Sequence, residues 1–188
     1  MKIAITGTIG SGKSVVSEYI RSKGFDVFDA DKVNAELLKK DSYAYNQIKC
    51  LYPEVIDNDE LNKKKLADLM FNDSNVKSKV ESIMHPLILK KLLLASLKNE
   101  IFFAEIPLLF EFGWDAMFDK CILVACNDEV SIKRLIDKGF DEKSAKLRLN
   151  SQMSVQDKSK RADEIIYNNG SLSELYEAVD RVLNKYVR

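Results

Sequence analysis

Apolar positions along the chain fall into two alternating patterns. Short apolar runs suited to strands buried on both faces stand at Lys2 to Thr6, around Asp26 to Phe28, at Ile101 to Ile106, at Cys121 to Cys126 and at Glu164 to Tyr167. Between them the apolar residues take helical spacing. Val15, Val16, Tyr19 and Ile20 form one face after the first run, and Leu172, Leu175, Tyr176, Val179, Val182, Leu183 and Tyr186 hold one face near the end of the chain. That last helix also carries a start signal, because Ser171-Leu172-Ser173-Glu174 reads as a capping box directly after Asn168-Asn169-Gly170. Strand runs alternating with helical ones predict an α/β protein in three layers, a parallel five-stranded sheet with helices on both faces.

Two segments break the alternation. Residues 32–100 show no strand pattern and far exceed the length of a strand-to-strand crossover. They predict a helical insertion, with helices over Asp59 to Met70 and over Pro86 to Leu97. Residues 131–161 are helical and charged, carrying Arg134, Lys138, Lys146, Arg148, Lys158, Lys160 and Arg161, of which Arg134 and Arg148 are the candidates for touching phosphate when such a segment closes. The expected organisation is one domain with its core in 1–31, 101–130 and 162–188. The insertion 32–100 sits over the carboxyl edge of the sheet to hold a second substrate, and 131–161 forms a lid. A domain of 188 residues buries roughly 70% of its unfolded surface and needs no covalent staple.

The chemistry is concentrated at the first strand's end. Gly7-Thr8-Ile9-Gly10-Ser11-Gly12-Lys13-Ser14 has the spacing Gly-x-x-x-x-Gly-Lys-Ser, set between a strand run and a helical one. Small residues there let successive backbone N–H groups turn toward a phosphate, while a lysine ammonium reaches the β- and γ-oxygens and a serine hydroxyl ligates magnesium. The phosphates then sit at a helix N-terminus, where the dipole favours an anion. Lys13, the Gly10, Ser11, Gly12 and Val15 backbone and Ser14 are therefore candidate ATP-binding residues, and Ser14 is the candidate Mg2+ ligand.

Charge narrows the partners. Lys plus Arg and Asp plus Glu are 29 each, so no global field draws nucleic acid or a membrane, and anion binding becomes a property of the site. Cys50, Cys121 and Cys126 lack zinc-ligand spacing, and no apolar run reaches membrane-spanning length. With the first strand at the very start of the sequence, the expectation is a cytoplasmic protein.

The acceptor is read elsewhere. Phe28-Asp29-Ala30-Asp31 ends the second strand run, and a carboxylate at a sheet's carboxyl edge suits an alcohol acceptor, whose proton it takes during phosphoryl transfer. The alternative for Asp29 or Asp31 is a helix N-cap. No Asp-x-x-Gly switch occurs, and Asn62-Lys63 is followed by Lys64-Lys65 rather than completing a guanine-reading motif, which argues against a GTP-driven switch. Lys63 to Lys65 reads as a solvated face or as part of a hold on an anionic substrate.

Several marks in order resemble the dephospho-coenzyme A kinase family across nearly the full chain: Thr6 to Ser14; Asp29-Ala30-Asp31; His85-Pro86-Leu87-Ile88; Pro107 to Glu111; Arg148 with Gln152-Met153; and Lys158 with Ala162-Asp163, leading into Asn168-Asn169-Gly170. The resemblance implies a P-loop kinase fold and transfer of the ATP γ-phosphoryl group to the ribose 3′-hydroxyl of dephospho-coenzyme A, with Mg2+. It implies Asp31 as catalytic base beside Lys13, Arg148 and Asn169 on the ATP side, and His85, Pro107 and Leu108 at the acceptor. The chain departs from the family at Thr8, Val15 and Lys138, where glycine, threonine and arginine are common, and Glu105 is a further candidate near the metal. A kinase for another small alcohol and a non-catalytic ATP-binding regulator remain alternative readings.

Overall fold

The computed structural model describes residues 1–187. In chain order its elements are β1 (Lys2–Thr6), α1 (Lys13–Ser22), β2 (Val27–Asp29), α2 (Ala30–Leu37), α3 (Tyr43–Leu51), β3 (Ile56–Asp57), β4 (Glu60–Leu61), α4 (Lys63–Asn72), α5 (Ser74–Ser96), β5 (Phe102–Glu105), β6 (Lys120–Ala125), α6 (Asp128–Asp137), α7 (Glu142–Asn150), α8 (Val155–Ser159), β7 (Glu164–Tyr167) and α9 (Leu172–Tyr186). Two compact units result, one of residues 1–28 with 96 onward and one of residues 29–95.

The first unit is built on a five-stranded parallel sheet in the order β2-β5-β1-β6-β7. Each apolar run of the sequence supplies one strand. β1 is central, with Ile3 opposite Phe103 of β5 and Ile5 opposite Ile122 of β6. Ile3, Ile5, Phe103, Ile122 and Val124 are buried with Val16 and Ile20 of α1 and Leu175, Val179, Val182 and Leu183 of α9. The apolar spacing of those two helices is what seats them on the sheet. Tyr19 and Tyr176 stack at 4.0 Å between them, and the Ser171–Glu174 capping box closes the N-terminus of α9. Because β1 has strands on both sides and the chain continues to β2 on one flank and β6 on the other, its carboxyl end lies where the strand order reverses. Ligands bind at such a point in open α/β sheets.

The second unit departs from its sequence expectation in three places. Ile56–Asp57 and Glu60–Leu61 pair as an antiparallel hairpin inside a segment that shows no strand pattern. Asn58 and Asp59 both have positive φ, 48° and 65°, the geometry of a tight two-residue hairpin turn. Lys40 and Lys49 each reach the Asp59 carboxylate at 2.5 Å, and the Tyr45 hydroxyl donates to the Asp59 carbonyl at 2.7 Å, so side chains hold a turn that lacks glycine. The helix expected from Asp59 begins instead at Lys63, capped by the Asn62 side chain. The helix expected to start at Pro86 runs from Ser74 straight through it. A proline there forfeits one backbone hydrogen bond and crowds the preceding turn, at about 3 kcal/mol. Val76, Val80, Met84, Ile88 and Leu92 form one unbroken buried stripe at intervals of four residues, and that burial outweighs the local cost.

Candidate active site

The loop between β1 and α1 has its carbonyl oxygens held by side-chain donors. Lys13, the first residue of α1 and buried, donates from Nζ to the Gly7 and Thr8 carbonyls at 2.9 Å each. Ser131 Oγ donates to the Ile9 carbonyl. The Arg134 guanidinium reaches the Gly10 and Ser11 carbonyls at 3.3 and 3.4 Å, and Asn168 Nδ2 donates to the Ser11 carbonyl at 2.8 Å. Five consecutive carbonyls, 7 to 11, thus accept hydrogen bonds, the first two from Lys13 within the loop and the other three from Ser131, Arg134 and Asn168.

Two glycines are needed for that arrangement. Gly10 has φ 79°, and a Cβ there would lie 2.5 Å from Ser131 Oγ. Gly12, the αL N-cap of α1, has φ 96°, and a Cβ would lie 2.1 Å from Asn168 Nδ2. The first turn of α1 has no acidic residue to answer the helix dipole, and it carries Lys13 instead. This is an anion cradle.

Two oxygen-bearing side chains meet at its edge. Ser14 Oγ donates to Glu105 Oε1 at 3.0 Å, and Glu105 is the buried last residue of β5. A hydroxyl beside a carboxylate is the hard-oxygen donor set that Mg2+ prefers. Val15 is half-buried and packs on the core, and its amide donates to the Gly12 carbonyl at 3.1 Å.

Beyond the loop, a chain of hydrogen bonds ties the segment after β5 to the region 152–161. Pro107 offers its carbonyl to Thr6 Oγ1 at 3.1 Å and to Lys158 Nζ at 3.0 Å. Lys158 is fully buried and also pairs with Glu111 at 2.9 Å; burial pulls its ammonium below the ordinary lysine value while Glu111 pulls it back up. Glu111 accepts from the Met153 amide at 2.9 Å, and Gln152 Oε1 accepts from the Ile9 amide at 2.8 Å. Leu108 is half-buried beside this network.

The remaining sequence candidates lie elsewhere. Asn169 binds the Asn127 amide at 2.8 Å and so joins the loops after β7 and β6. The Arg148 guanidinium lies 5.0 Å over the Phe140 ring, and Lys138 is the exposed C-cap residue of α6. Asp31 and His85 belong to the second unit. Asp29, not Asp31, is the N-cap of α2: its Oδ1 accepts from the Lys32 amide at 2.9 Å, leaving Asp31 exposed in the helix's first turn. His85 is half-buried on α5; burial lowers its pKa, with Glu81 one turn earlier opposing.

Sequence reasoning finds only part of the frame. Ser131 carries no sequence signal, Gln152 and Asn168 appear in the sequence only as family marks without a role, and Arg134, a candidate for touching phosphate, instead reaches the loop carbonyls together with them. The available signal was position: Asn168 follows directly on the last strand run, at the sheet edge where β1 also ends.

The sequence profile of the dephospho-CoA kinase family matches residues 1–174. A curated dephospho-CoA kinase of Fusobacterium nucleatum is 34% identical over 185 residues, covering 96% of both chains. One from Aquifex aeolicus is 34% identical over 192 residues, covering 100% of this chain and 98% of its own. Among solved structures, a Thermus thermophilus protein superposes with a TM-score of 0.90 at 34% identity, over 100% of this chain and 98% of that one. The dephospho-CoA kinase from Campylobacter jejuni gives 0.71 at 29% identity, over 98% and 97%.

Proposed function

We propose, for a chain that belongs to the dephospho-CoA kinase family, transfer of the ATP γ-phosphoryl group to the ribose 3′-hydroxyl of dephospho-coenzyme A, which yields coenzyme A. The observation that carries this reading is the cradle itself, a loop whose carbonyls are held by Lys13, Ser131, Arg134 and Asn168, with a buried lysine at a helix start. Lys13 neutralises the β- and γ-oxygens, and the Gly10, Ser11, Gly12, Ser14 and Val15 amides seat the phosphates. Ser14 holds Mg2+ with Glu105 beside it. When bound, that ion draws charge from the oxygens around the transferred group.

Asp31 acts as the base that orients the ribose hydroxyl and accepts its proton. Its exposed place in α2, with the cap position taken by Asp29, supports this role. Arg148 and Asn169 serve the ATP side, Arg148 as a closing charge and Asn169 at the adenine. His85, Pro107 and Leu108 line the acceptor. The reaction takes place in the cytoplasm, a setting supported by three free thiols and by the fact that, among the described residues, no helix is long and apolar enough to cross a membrane.

The test is incubation with ATP, Mg2+ and dephospho-coenzyme A beside a panel of other alcohols, with the product located by phosphorus NMR. A 3′-phosphate on dephospho-coenzyme A is the expected product. Turnover of a different alcohol alone overturns the acceptor assignment.

A further inference from the structure

The chain just after α7 is pinned to the first unit at two points that the roles above leave unexplained. Gln152 Oε1 accepts from the Ile9 amide at 2.8 Å, across 143 residues of sequence. The Met153 amide donates to Glu111 Oε1 at 2.9 Å. Neither anchor is loose. Glu111 is held by the buried Lys158 ammonium, which also bonds the Pro107 carbonyl, and the Ile9 carbonyl is itself held by Ser131.

Chemistry fixes which way the Gln152 carboxamide lies. Its partner is an N–H, so the oxygen and not the nitrogen meets the loop. The bond occupies the Ile9 N–H, which lies outside the set of amides assigned above to the phosphates. Gln152 therefore fastens the loop without removing a phosphate contact from it.

What the pin carries is α7. The Gln152 amide donates to the Leu149 carbonyl at 3.2 Å and the Ser151 amide to the Leu147 carbonyl at 3.0 Å, so helical hydrogen bonding runs from α7 into the pinned residue. Arg148 sits on this last turn, four residues before Gln152, or about 6 Å of helical rise. Its guanidinium lies over the Phe140 ring and has no ion pair among the described residues. At the other end of α7 the chain turns through Gly139, with φ 92° and nothing within 4 Å of the place a Cβ would take. The helix is thus tied at its Arg148 end and joined through an open glycine turn at its start. A tilt of about 10° about the pin moves Arg148 by only about 1 Å, and Glu142, about 15 Å along the helix, by about 2.6 Å.

We propose that Gln152 is a positioning residue for Arg148, holding the last turn of α7 against the phosphate loop so that the guanidinium meets the transferred phosphoryl group in register. The assignment rests on the closing-charge role given to Arg148 above. A misplacement of about 1 Å at a reacting group can cost ~10² in rate. Because Gln152 acts through Arg148, its loss has nothing left to disturb once the guanidinium is gone.

The experiment compares wild type, Q152M, R148A and Q152M/R148A as full chains, with whichever alcohol the panel above shows to be phosphorylated. Methionine matches glutamine in length and gives the Ile9 amide no oxygen. R148A should lower kcat by ~10²–10³. Q152M should lower kcat by about ten- to a hundredfold while its calorimetric Kd for ATP stays within about threefold of wild type. The double variant should fall within about twofold of R148A, whereas a merely loosened loop would weaken ATP binding and multiply with R148A. Gln152 is half-buried, so folding is checked by urea unfolding, and if Q152M does not fold, Q152A takes its part in the same comparison. A kcat for the Gln152 variant within about twofold of wild type overturns the proposal, and so does a double variant whose loss is the product of the single losses. A normal kcat for R148A instead overturns the closing-charge reading and removes the proposal with it. A wild type that phosphorylates no alcohol removes the kinase reading as a whole, this assignment included.

Discussion

Replacing Lys158 by methionine tests how the segment after β5 is held. The ammonium is fully buried and bridges the Pro107 carbonyl and the Glu111 carboxylate at 3.0 and 2.9 Å. Methionine keeps most of the aliphatic stem but strands a carboxylate whose side chain is only 20% exposed. Removing one member of a buried ion pair costs ~3–5 kcal/mol. Here Glu111 keeps the Met153 amide and some water, and Pro107 keeps Thr6 Oγ1, which brings the expected loss to about 2–3 kcal/mol. K158M/E111L should recover much of that loss, since an apolar pair leaves no stranded charge. Urea unfolding of wild type, both single variants and the double variant gives the coupling. A K158M loss below about 1 kcal/mol, or a double variant costing the sum of the singles, refutes the argument.

Three further outcomes are expected. Lys13→Ala should lose both ATP affinity and rate, whereas Asp31→Asn should keep ATP binding, measured by calorimetry, and lose turnover by ~10²–10⁴; near-normal turnover removes Asp31 as the base. Glu105→Gln should raise the Mg2+ concentration needed for half-maximal rate, and an unchanged Mg2+ titration separates Glu105 from the metal. His85, with its pKa depressed by burial, contributes stability that is fully present above pH 6.5 and lost as pH falls through its lower folded value. His85→Gln should flatten that part of a pH–stability curve measured by urea unfolding.

The sheet was legible because strands buried on both faces write continuous apolar runs, and the loop because its chemistry is contiguous from Gly7 to Ser14. What escaped depends on contacts between distant residues. Pro86 reads as a helix start from neighbours alone, and only the buried stripe from Val76 to Leu92 shows that the helix continues. The Asn58–Asp59 turn lacks the Asn-Gly signature, and Lys40, Lys49 and Tyr45 fix it from other helices. The side chains that hold the phosphate loop come from positions 131, 134, 152 and 168, which share no local pattern, so their joint role is not written in any one segment. Asp29 and Asp31 were equivalent cap candidates by spacing, and one hydrogen bond to Lys32 separated them.

The second unit is one uninterrupted stretch between neighbouring strands β2 and β5. Parallel neighbours require a return leg from the carboxyl end of one to the amino end of the next, and the 23-residue α5 leads the chain back toward β5. None of Ser131, Arg134, Gln152 or Asn168 falls inside that stretch. Substitutions on the exposed faces of residues 32–73 can therefore accumulate without touching any side chain that fastens the loop between β1 and α1.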